Sequence, residues 1–297
     1  MRLRDKIPGL NHLEYGLLRI IAGIINLLPI SVSTWIARRI GGMLYFFLGK
    51  RKKIAFQNIS FAYASSKTPE EKRKIVRECF RNLATSLMEF FRISKMLKDA
   101  DKRVKFYGKE NMDAAFAKGK GVIFVISHLG PWECLSFMPN LLKYPCSVIA
   151  RPIRNPLVYK WIWGLRESTS LININKNKSI KKVLSELKRN HLVGVAIDQW
   201  PGREGTESQF FGQDTLTTSI PARLARKTGA ALVPGYCIRV DSGYYEIHLK
   251  PEIPLSETES WEVDTTNILN QQLEKDILTH PEQWTWGHRR WKKFSKQ

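Results

Sequence analysis

The chain has 297 residues, 48 Lys and Arg against 27 Asp and Glu, and a formal net charge of +21. That length gives room for a sizeable core in one large domain or two small ones, and the charge asks for an anionic partner, a phospholipid surface or a nucleic acid. The four cysteines, Cys79, Cys134, Cys146 and Cys237, include no Cys-x2-Cys pair, which argues against a zinc site and suits a reducing compartment.

In chain order, the basic residues cluster at 2–6, 50–53, 72–77 and 288–293. Residues 16–30 are strongly apolar, interrupted by Arg19 and Asn26 and closed at Pro29, and a shorter apolar stretch covers 40–48. Neither reaches the roughly 20 uninterrupted apolar residues of a clear span. Joined as 15–37, with Arg19 snorkelling, they would cross a membrane once; otherwise they lie in its interface as amphipathic helices. No small-residue cleavage site follows, so no signal peptide is expected, and Lys50-Arg-Lys-Lys53 would keep the bulk of the chain on the cytoplasmic side. Residues 1–50 are therefore expected as a membrane-associated helical segment and 51–297 as the main domain.

Thr68-Pro-Glu-Glu71 predicts a helix start, with Thr68 as N-cap, Pro69 in the first position and Glu71 completing a capping box. Ile75, Cys79, Leu83 and Leu87 carry helical spacing on to about Arg92. Strand-like runs follow at 121–127, 146–153, 171–174, 192–197, 231–240 and 244–249, separated mostly by helical patterns at 131–142, 156–167, 178–190, 219–228 and 261–278. This alternation predicts an α/β fold, a mixed, mainly parallel sheet flanked by helices. Val240-Asp-Ser-Gly-Tyr244 predicts a hairpin, so the last pair is antiparallel.

Ligands in such sheets bind beyond the carboxyl ends of the strands, where His128, Arg151 and Asp198 fall. His128 closes the apolar run 122–127, and Glu133 follows five residues later. Five residues do not return to the same helical face. A turn at Gly130, with Pro131 opening a helix, would instead bring Glu133 into a first helical turn beside His128. The pair then offers a base and an orienting carboxylate. By spacing alone it is weak, because about half of one such His-x4-acid pair arises by chance in this composition. Without further context, Glu133 is as well explained as a helix cap and His128 as a loop histidine.

Arg151, Arg154 and Arg166 are candidates for an anionic substrate, since a guanidinium suits bidentate phosphate contact. Asp198-Gln199 would orient a substrate or an arginine, or would cap a turn. Arg203-Glu-Gly-Thr206, leading to Phe210-Phe-Gly212, is either a substrate-wrapping loop or a surface loop with an aromatic staple. Thr217, Thr218 and Ser219 fit N-cap positions. Cys79 and Cys237 fit buried thiols, and Cys134 lacks a second base to make it a nucleophile.

Ser127-His-Leu-Gly-Pro-Trp-Glu133, Asp198-Gln199, Phe210-Phe-Gly212, Lys227-Thr-Gly-Ala230 with Val233-Pro234, and Pro281-Glu-Gln-Trp284 with His288-Arg-Arg290 occur in one order over nearly the whole chain. Together they resemble the bacterial lipid A late acyltransferases, the lauroyl/myristoyl family within the lysophospholipid and glycerol-phosphate acyltransferase superfamily. The resemblance implies transfer of a fatty acyl chain from acyl carrier protein, or sometimes coenzyme A, to a glycolipid hydroxyl. It places the reaction at the cytoplasmic face of a bacterial inner membrane. The family's His-x4-Glu/Asp motif maps onto His128 and Glu133, and its phosphate-binding arginine onto Arg166 first and Arg151 second. Related enzymes acylate mannosyl-inositol lipids, so the resemblance does not fix the acceptor.

The mechanism expected has His128 as general base and Glu133 holding the imidazole. Asp198 and Gln199 help to bind substrate, and neither a metal nor a cofactor is needed. No serine or cysteine shows a nucleophile elbow, so attack on the thioester is direct. Backbone N–H groups near Gly130 or an arginine would hold the oxyanion, and Tyr45, Phe46 and Phe47 would line the acyl groove. The competing expectations are a glycerol-phosphate or other glycolipid acyltransferase and a non-enzymatic basic membrane-binding protein. A nucleic-acid binder leaves the apolar N-terminus unused and shows no binding motif.

Overall fold

The computed structural model describes residues 9–175 and 179–292; the basic cluster at 2–6, Lys178 and Lys293 lie outside the described residues. Four helices come first: α1 (Leu10–Leu27), α2 (Ile30–Phe47), α3 (Gly49–Tyr63) and α4 (Pro69–Phe91). Two short turns of helix, α5 (Ile93–Met96) and α6 (Ala100–Arg103), lead into β1 (Val104–Tyr107), α7 (Lys109–Ala117) and β2 (Val122–Ile126). Next come α8 (Met138–Leu142), β3 (Cys146–Ala150), α9 (Pro156–Glu167), β4 (Ile172–Asn175), α10 (Ser179–Lys188) and β5 (Leu192–Ala196). The remainder is a hairpin of β6 (Thr206–Phe210) and β7 (Gln213–Thr217), then α11 (Ile220–Thr228), β8 (Ala231–Asp241), β9 (Tyr244–Leu249) and α12 (Trp261–Thr279).

The main sheet has the order β1-β9-β8-β2-β5-β3-β4, and every neighbouring pair is parallel except β8–β9. The predicted mixed, mainly parallel sheet is thus the one that forms. β2 is central and buried along its whole length, as an unbroken Val-Ile-Phe-Val-Ile run requires of a strand covered on both faces. Helices cover the sheet, and its buried residues form two apolar clusters.

The Thr68 capping box forms as expected: Thr68 Oγ1 accepts from the Glu71 N–H at 3.2 Å, and the Glu71 carboxylate accepts from the Thr68 N–H at 2.8 Å. The β8–β9 hairpin also forms. Three local expectations change. The segment 131–142 is a 3-10 helix, Trp132–Phe137, followed by the five residues of α8, and Pro131 precedes the first turn rather than occupying it. β1 was not anticipated from sequence. Residues 206–217 form the β6–β7 hairpin instead of a surface loop, and Phe210 and Phe211 near its turn are buried against Trp284 and Trp291.

At the N-terminus the chain breaks at Leu28-Pro29, so the joined crossing over 15–37 does not form. Proline supplies no N–H to continue the helix. Among the described residues no helix is long and apolar enough to cross a membrane. α1 and α2 instead pack on the rest of the chain. Asn26 Nδ2 donates to Phe91 O at 2.9 Å, and Asn155 Nδ2 donates to Asn11 O at 2.8 Å. A Cβ on Gly41 would meet Phe80 O at 2.5 Å, so glycine lets α2 lie directly on α4. Leu13, Leu17, Leu27, Trp35, Phe46 and Phe47 remain exposed.

Candidate active site

Strand pairing builds the centre of the site. Ile126 at the end of β2 is in register with Ala196 at the end of β5, and two residues beyond each lie His128 and Asp198. Asp198 Oδ1 is 2.8 Å from His128 Nδ1, and Oδ2 accepts from the His128 main-chain N–H at 2.8 Å. The same Oδ2 accepts from the Trp284 indole N–H at 2.9 Å. Asp198 is buried, with 1% of its surface exposed, so these bonds supply what water would otherwise provide.

The electrostatics follow from that geometry. Burial alone would raise the Asp198 pKa, but the charge and hydrogen bonds of His128, with the Trp284 N–H, hold it at about 2. Burial alone would lower the His128 pKa, but the charge and hydrogen bond of Asp198, helped by Glu133, lift it above the ordinary 6.5. With Nδ1–H directed at Asp198, the neutral ring presents Nε2 as its proton acceptor. Trp132 packs edge-on to the imidazole, with centroids 5.0 Å apart.

The loop that carries His128 is clamped from behind. Gly130 has φ +60°, and a Cβ there would lie 2.1 Å from Cys237 O, so only glycine fits the turn. Its N–H donates to Gln283 O at 3.0 Å, and Thr285 Oγ1 donates to His128 O at 3.1 Å. Residues 281–288 are themselves held: Asn82 Nδ2 donates to Glu282 O at 3.0 Å, and Asn58 Nδ2 donates to the carbonyls of Trp286 and His288, both at 2.7 Å. Beneath the loop, buried Arg239 donates to Glu89 at 2.6 and 2.5 Å, to Asn82 at 2.7 Å and to Ser86 at 2.9 Å. A buried ion pair needs such complete pairing to offset its desolvation.

Glu133 does not hold the imidazole. The turn at Gly130 and Pro131 carries it into the 3-10 helix, and its two carboxylate oxygens accept from Arg166 of α9 at 2.6 and 2.9 Å. This fork-on-fork pair is largely buried, with 16% and 19% of the side chains exposed, and Arg166 also lies 5.8 Å from the Phe90 ring centre. Burial opposes the Arg166 charge, but Glu133 outweighs it and the pKa is raised. Arg166 therefore meets any substrate as half of an ion pair, not as an unpaired guanidinium. Arg151 and Arg154 are exposed beyond β3 and do not join it; Arg151 Nη2 lies 3.4 Å from Pro201 O.

Two cavities meet around Trp132 and Glu133. One, of about 870 Å³, runs between α1, α2 and α4 and is almost wholly apolar, lined by residues such as Ile21, Ile25, Ile40, Phe80, Leu83 and Leu87. The expected Tyr45, Phe46 and Phe47 do not line it: Tyr45 stacks edge-on against Phe46 and Phe80, Phe46 and Phe47 face outward, and the aromatics in the wall are Phe80, Phe90, Phe91 and Trp132 among mostly aliphatic side chains. The other, of about 560 Å³, lies over the strand ends and takes in His128, Arg151, Tyr159, Arg166, Gln199 and Glu204. An apolar channel and a polar basin that meet at Trp132 and Glu133, with His128 lining the basin beside Trp132, can hold two chemically unlike reactants next to a base.

Several side roles are settled by position. Cys134 is buried, and its thiol pKa is pushed well above the usual range by burial and by Cys237, which removes it as a nucleophile. All four cysteines are buried free thiols. Ser219 takes the N-cap position of α11, but its hydroxyl donates to Glu262 at 2.6 Å rather than capping the helix. Among the described residues no cluster of three or more His, Cys, Asp or Glu could hold a metal ion.

Sequence reasoning weighed Asp198 but not as the partner of His128, and it named Trp284 without a role. The available signal was positional: Asp198 follows one buried strand just as His128 follows another.

The chain matches the family model described as bacterial lipid A biosynthesis acyltransferase over residues 5–293. It is 29% identical over 276 residues to a lipid A biosynthesis palmitoleoyltransferase of Escherichia coli K12, covering 89% of this chain and 86% of that protein. It is also 29% identical over 300 residues to a lipid A biosynthesis lauroyltransferase of the same strain, covering 96% and 94%. A phosphatidylinositol mannoside acyltransferase of Mycobacterium tuberculosis H37Rv is 27% identical over 183 residues, covering 60% and 56%. The chain belongs to the bacterial lipid A biosynthesis acyltransferase family and is an acyltransferase.

Proposed function

We propose that this acyltransferase moves a fatty acyl chain from a thioester donor, acyl carrier protein or coenzyme A, to a hydroxyl of a lipid A precursor at the cytoplasmic face of a bacterial inner membrane. The observation that carries this reading is the His128–Asp198 pair, whose imidazole lines the polar cavity and packs on Trp132, where the apolar cavity meets it. The acyl chain enters the apolar cavity. The sugar phosphate of the acceptor enters the polar one, where Arg151, Gln199 and the Glu133–Arg166 pair face it.

His128 Nε2 takes the proton of the acceptor hydroxyl as its oxygen attacks the thioester carbonyl carbon. The C–S bond then breaks, and the leaving thiolate takes the proton from His128. Asp198 stays ionised throughout, orients the ring and stabilises it while charged. Glu133 acts at one remove, fixing Arg166 at the edge of the polar cavity.

The membrane role rests on the outward apolar residues of α1 and α2. Trp35, Phe46 and Phe47 would enter the acyl boundary of the bilayer, while the basic run 50–53 meets anionic headgroups. The same net charge favours an acidic carrier protein as donor.

The test is transfer of labelled acyl groups from acyl carrier protein and from coenzyme A to a panel of lipids, in membranes containing wild type or His128→Ala. Transfer to a lipid A precursor that disappears with the substitution supports the reading. His128-dependent transfer to another glycolipid alone keeps the chemistry and replaces the acceptor. Equal transfer in both preparations removes His128 from the mechanism.

A further inference from the structure

Acyl transfer as proposed above needs hydrogen-bond donors for the oxyanion that forms at the thioester carbonyl. The loop carrying the base has few to give. The His128 N–H is committed to Asp198 and the Gly130 N–H to Gln283 O, and Pro131 has none. At the catalytic end of the apolar cavity the Thr285 hydroxyl donates to His128 O, and Ser86 Oγ lies 3.5 Å from Gly130 O while accepting from Arg239. The main-chain N–H groups of His128 and Gly130 are therefore already in use.

His288 is placed differently. It lines the apolar cavity together with Trp132, Glu133 and Thr285. The Trp200 N–H donates to its Nε2 at 3.1 Å, so Nε2 must be the acceptor and the ring proton must sit on Nδ1. No acceptor for that Nδ1–H is found among the described residues. Burial pushes the His288 pKa down to about 4, so the ring is neutral at physiological pH, and both Asp198 and His128 are near enough to act on its charge. A neutral donor suits this place, because burying a full positive charge there would carry a desolvation cost.

We propose that His288 is a further catalytic residue: its Nδ1–H, which has no acceptor among the described residues, donates to the thioester carbonyl oxygen and to the oxyanion formed from it at the catalytic end of the apolar cavity. When the acceptor oxygen bonds to the carbonyl carbon, the π pair moves onto that oxygen and the acceptor's proton moves to His128 Nε2. The pair returns as the C–S bond breaks, and the thiolate takes the proton from His128. His288 keeps its own proton throughout, so the two histidines have separate duties, one moving a proton and one holding charge.

The test compares His288→Ala and His288→Asn in the full chain, beside wild type and His128→Ala, with acyl carrier protein thioester and lipid acceptor. Asparagine can present an amide N–H near the position of Nδ1, and alanine cannot. Removing an oxyanion donor lowers kcat by about 10²- to 10³-fold. We expect that loss in His288→Ala with donor KM changed less than about threefold, and recovery of about tenfold or more in His288→Asn. The acid limb of the kcat profile, set by His128, should stay in place, whereas a disturbed dyad would move it. The Asn58 contact reaches the His288 carbonyl, so neither substitution removes it. Alanine activity within about threefold of wild type, asparagine no better than alanine, or a loss confined to KM would overturn the role of His288. A wild type no more active than His128→Ala would overturn the acyl-transfer reading and this role with it. Loss in His128→Ala with normal His288→Ala removes only the latter.

Discussion

The two cavities that meet at Trp132 and Glu133 are built from different parts of the chain and by different means. The apolar one is walled by helices packed side by side, and its lining is mostly interchangeable aliphatic bulk. The polar one stands over the ends of β2, β3 and β5, and its polar side chains are placed individually, His128, Arg151 and Gln199 by the strands they follow and Arg166 by its pair with Glu133. Volume is what the helical wall can select, since one methylene in an apolar pocket is worth only about 1–3 kcal/mol. Charge and hydrogen-bond geometry are what the strand ends can select. Chain length and acceptor identity should therefore respond to mutation independently, while the His128–Asp198 dyad should affect both.

The largest expected effect is at the dyad. His128→Ala should lower transfer by about 10²- to 10⁴-fold for every donor and acceptor. Asp198→Asn should approach that loss and also shift the acid limb of kcat to lower pH, because the carboxylate is what lifts the His128 pKa above 6.5. A limb that stays in place, measured by kcat from pH 5 to 9, would show that His128 is not the titrating base.

Next is the polar side. Arg166→Ala leaves Glu133 partly buried without a partner and should cost about 1–3 kcal/mol of stability, less than the 3–5 kcal/mol of a fully buried pair. It should also raise acceptor KM about 10-fold or more while donor chain-length preference is unchanged. Steady-state kinetics with two donors of different length checks this, and a changed preference would break the proposed independence.

The apolar side should show the reverse. Ala84→Phe, in the cavity wall, should depress transfer of the longest chains by about tenfold and spare shorter ones, with acceptor KM constant. Competition between a 12- and a 16-carbon donor reads this directly.

The smallest effect lies away from both cavities and serves as a control. Asp276, on α12, is buried, and burial raises its pKa to about 6 despite Lys250 and Gln272. Its native pKa is above the ordinary 3.8, so stability is lost as pH rises from about 4 to 6 and the full cost is present above that. Asp276→Asn should add about 1–2 kcal/mol at pH 8, nothing near pH 3.5, and leave transfer unchanged, as pH-dependent urea melts would show.

Local signals were legible where a segment carried its own instruction. The capping box at Thr68, the buried run 122–126, the helix at 156–167 and the turn at 240–244 each follow from neighbouring residues. The β6–β7 hairpin was missed because Thr-Glu-Ser-Gln-Phe is mostly polar and its inward residues pack on a partner remote in sequence. β1 has only four residues and owes its place to β9. In the site, His128 was legible because a strand ends there. Its carboxylate was misassigned because Glu133 is near in sequence, whereas Asp198 is 70 residues away and arrives through the β2–β5 pairing. The Arg166–Glu133 pair likewise needed the α9 position, which no short motif contains.

The Trp284 indole N–H on Asp198 sets a schedule for the molecule. Trp284 is 86 residues later in the chain than the carboxylate it holds. A ribosome makes those residues over several seconds at about 5–20 per second. During that interval the sheet can form while Asp198 lacks one of its three donors and the His128 loop lacks the Gln283 and Thr285 clamps. A nascent chain halted before residue 281 would thus carry both His128 and Asp198 without the three later residues that clamp them.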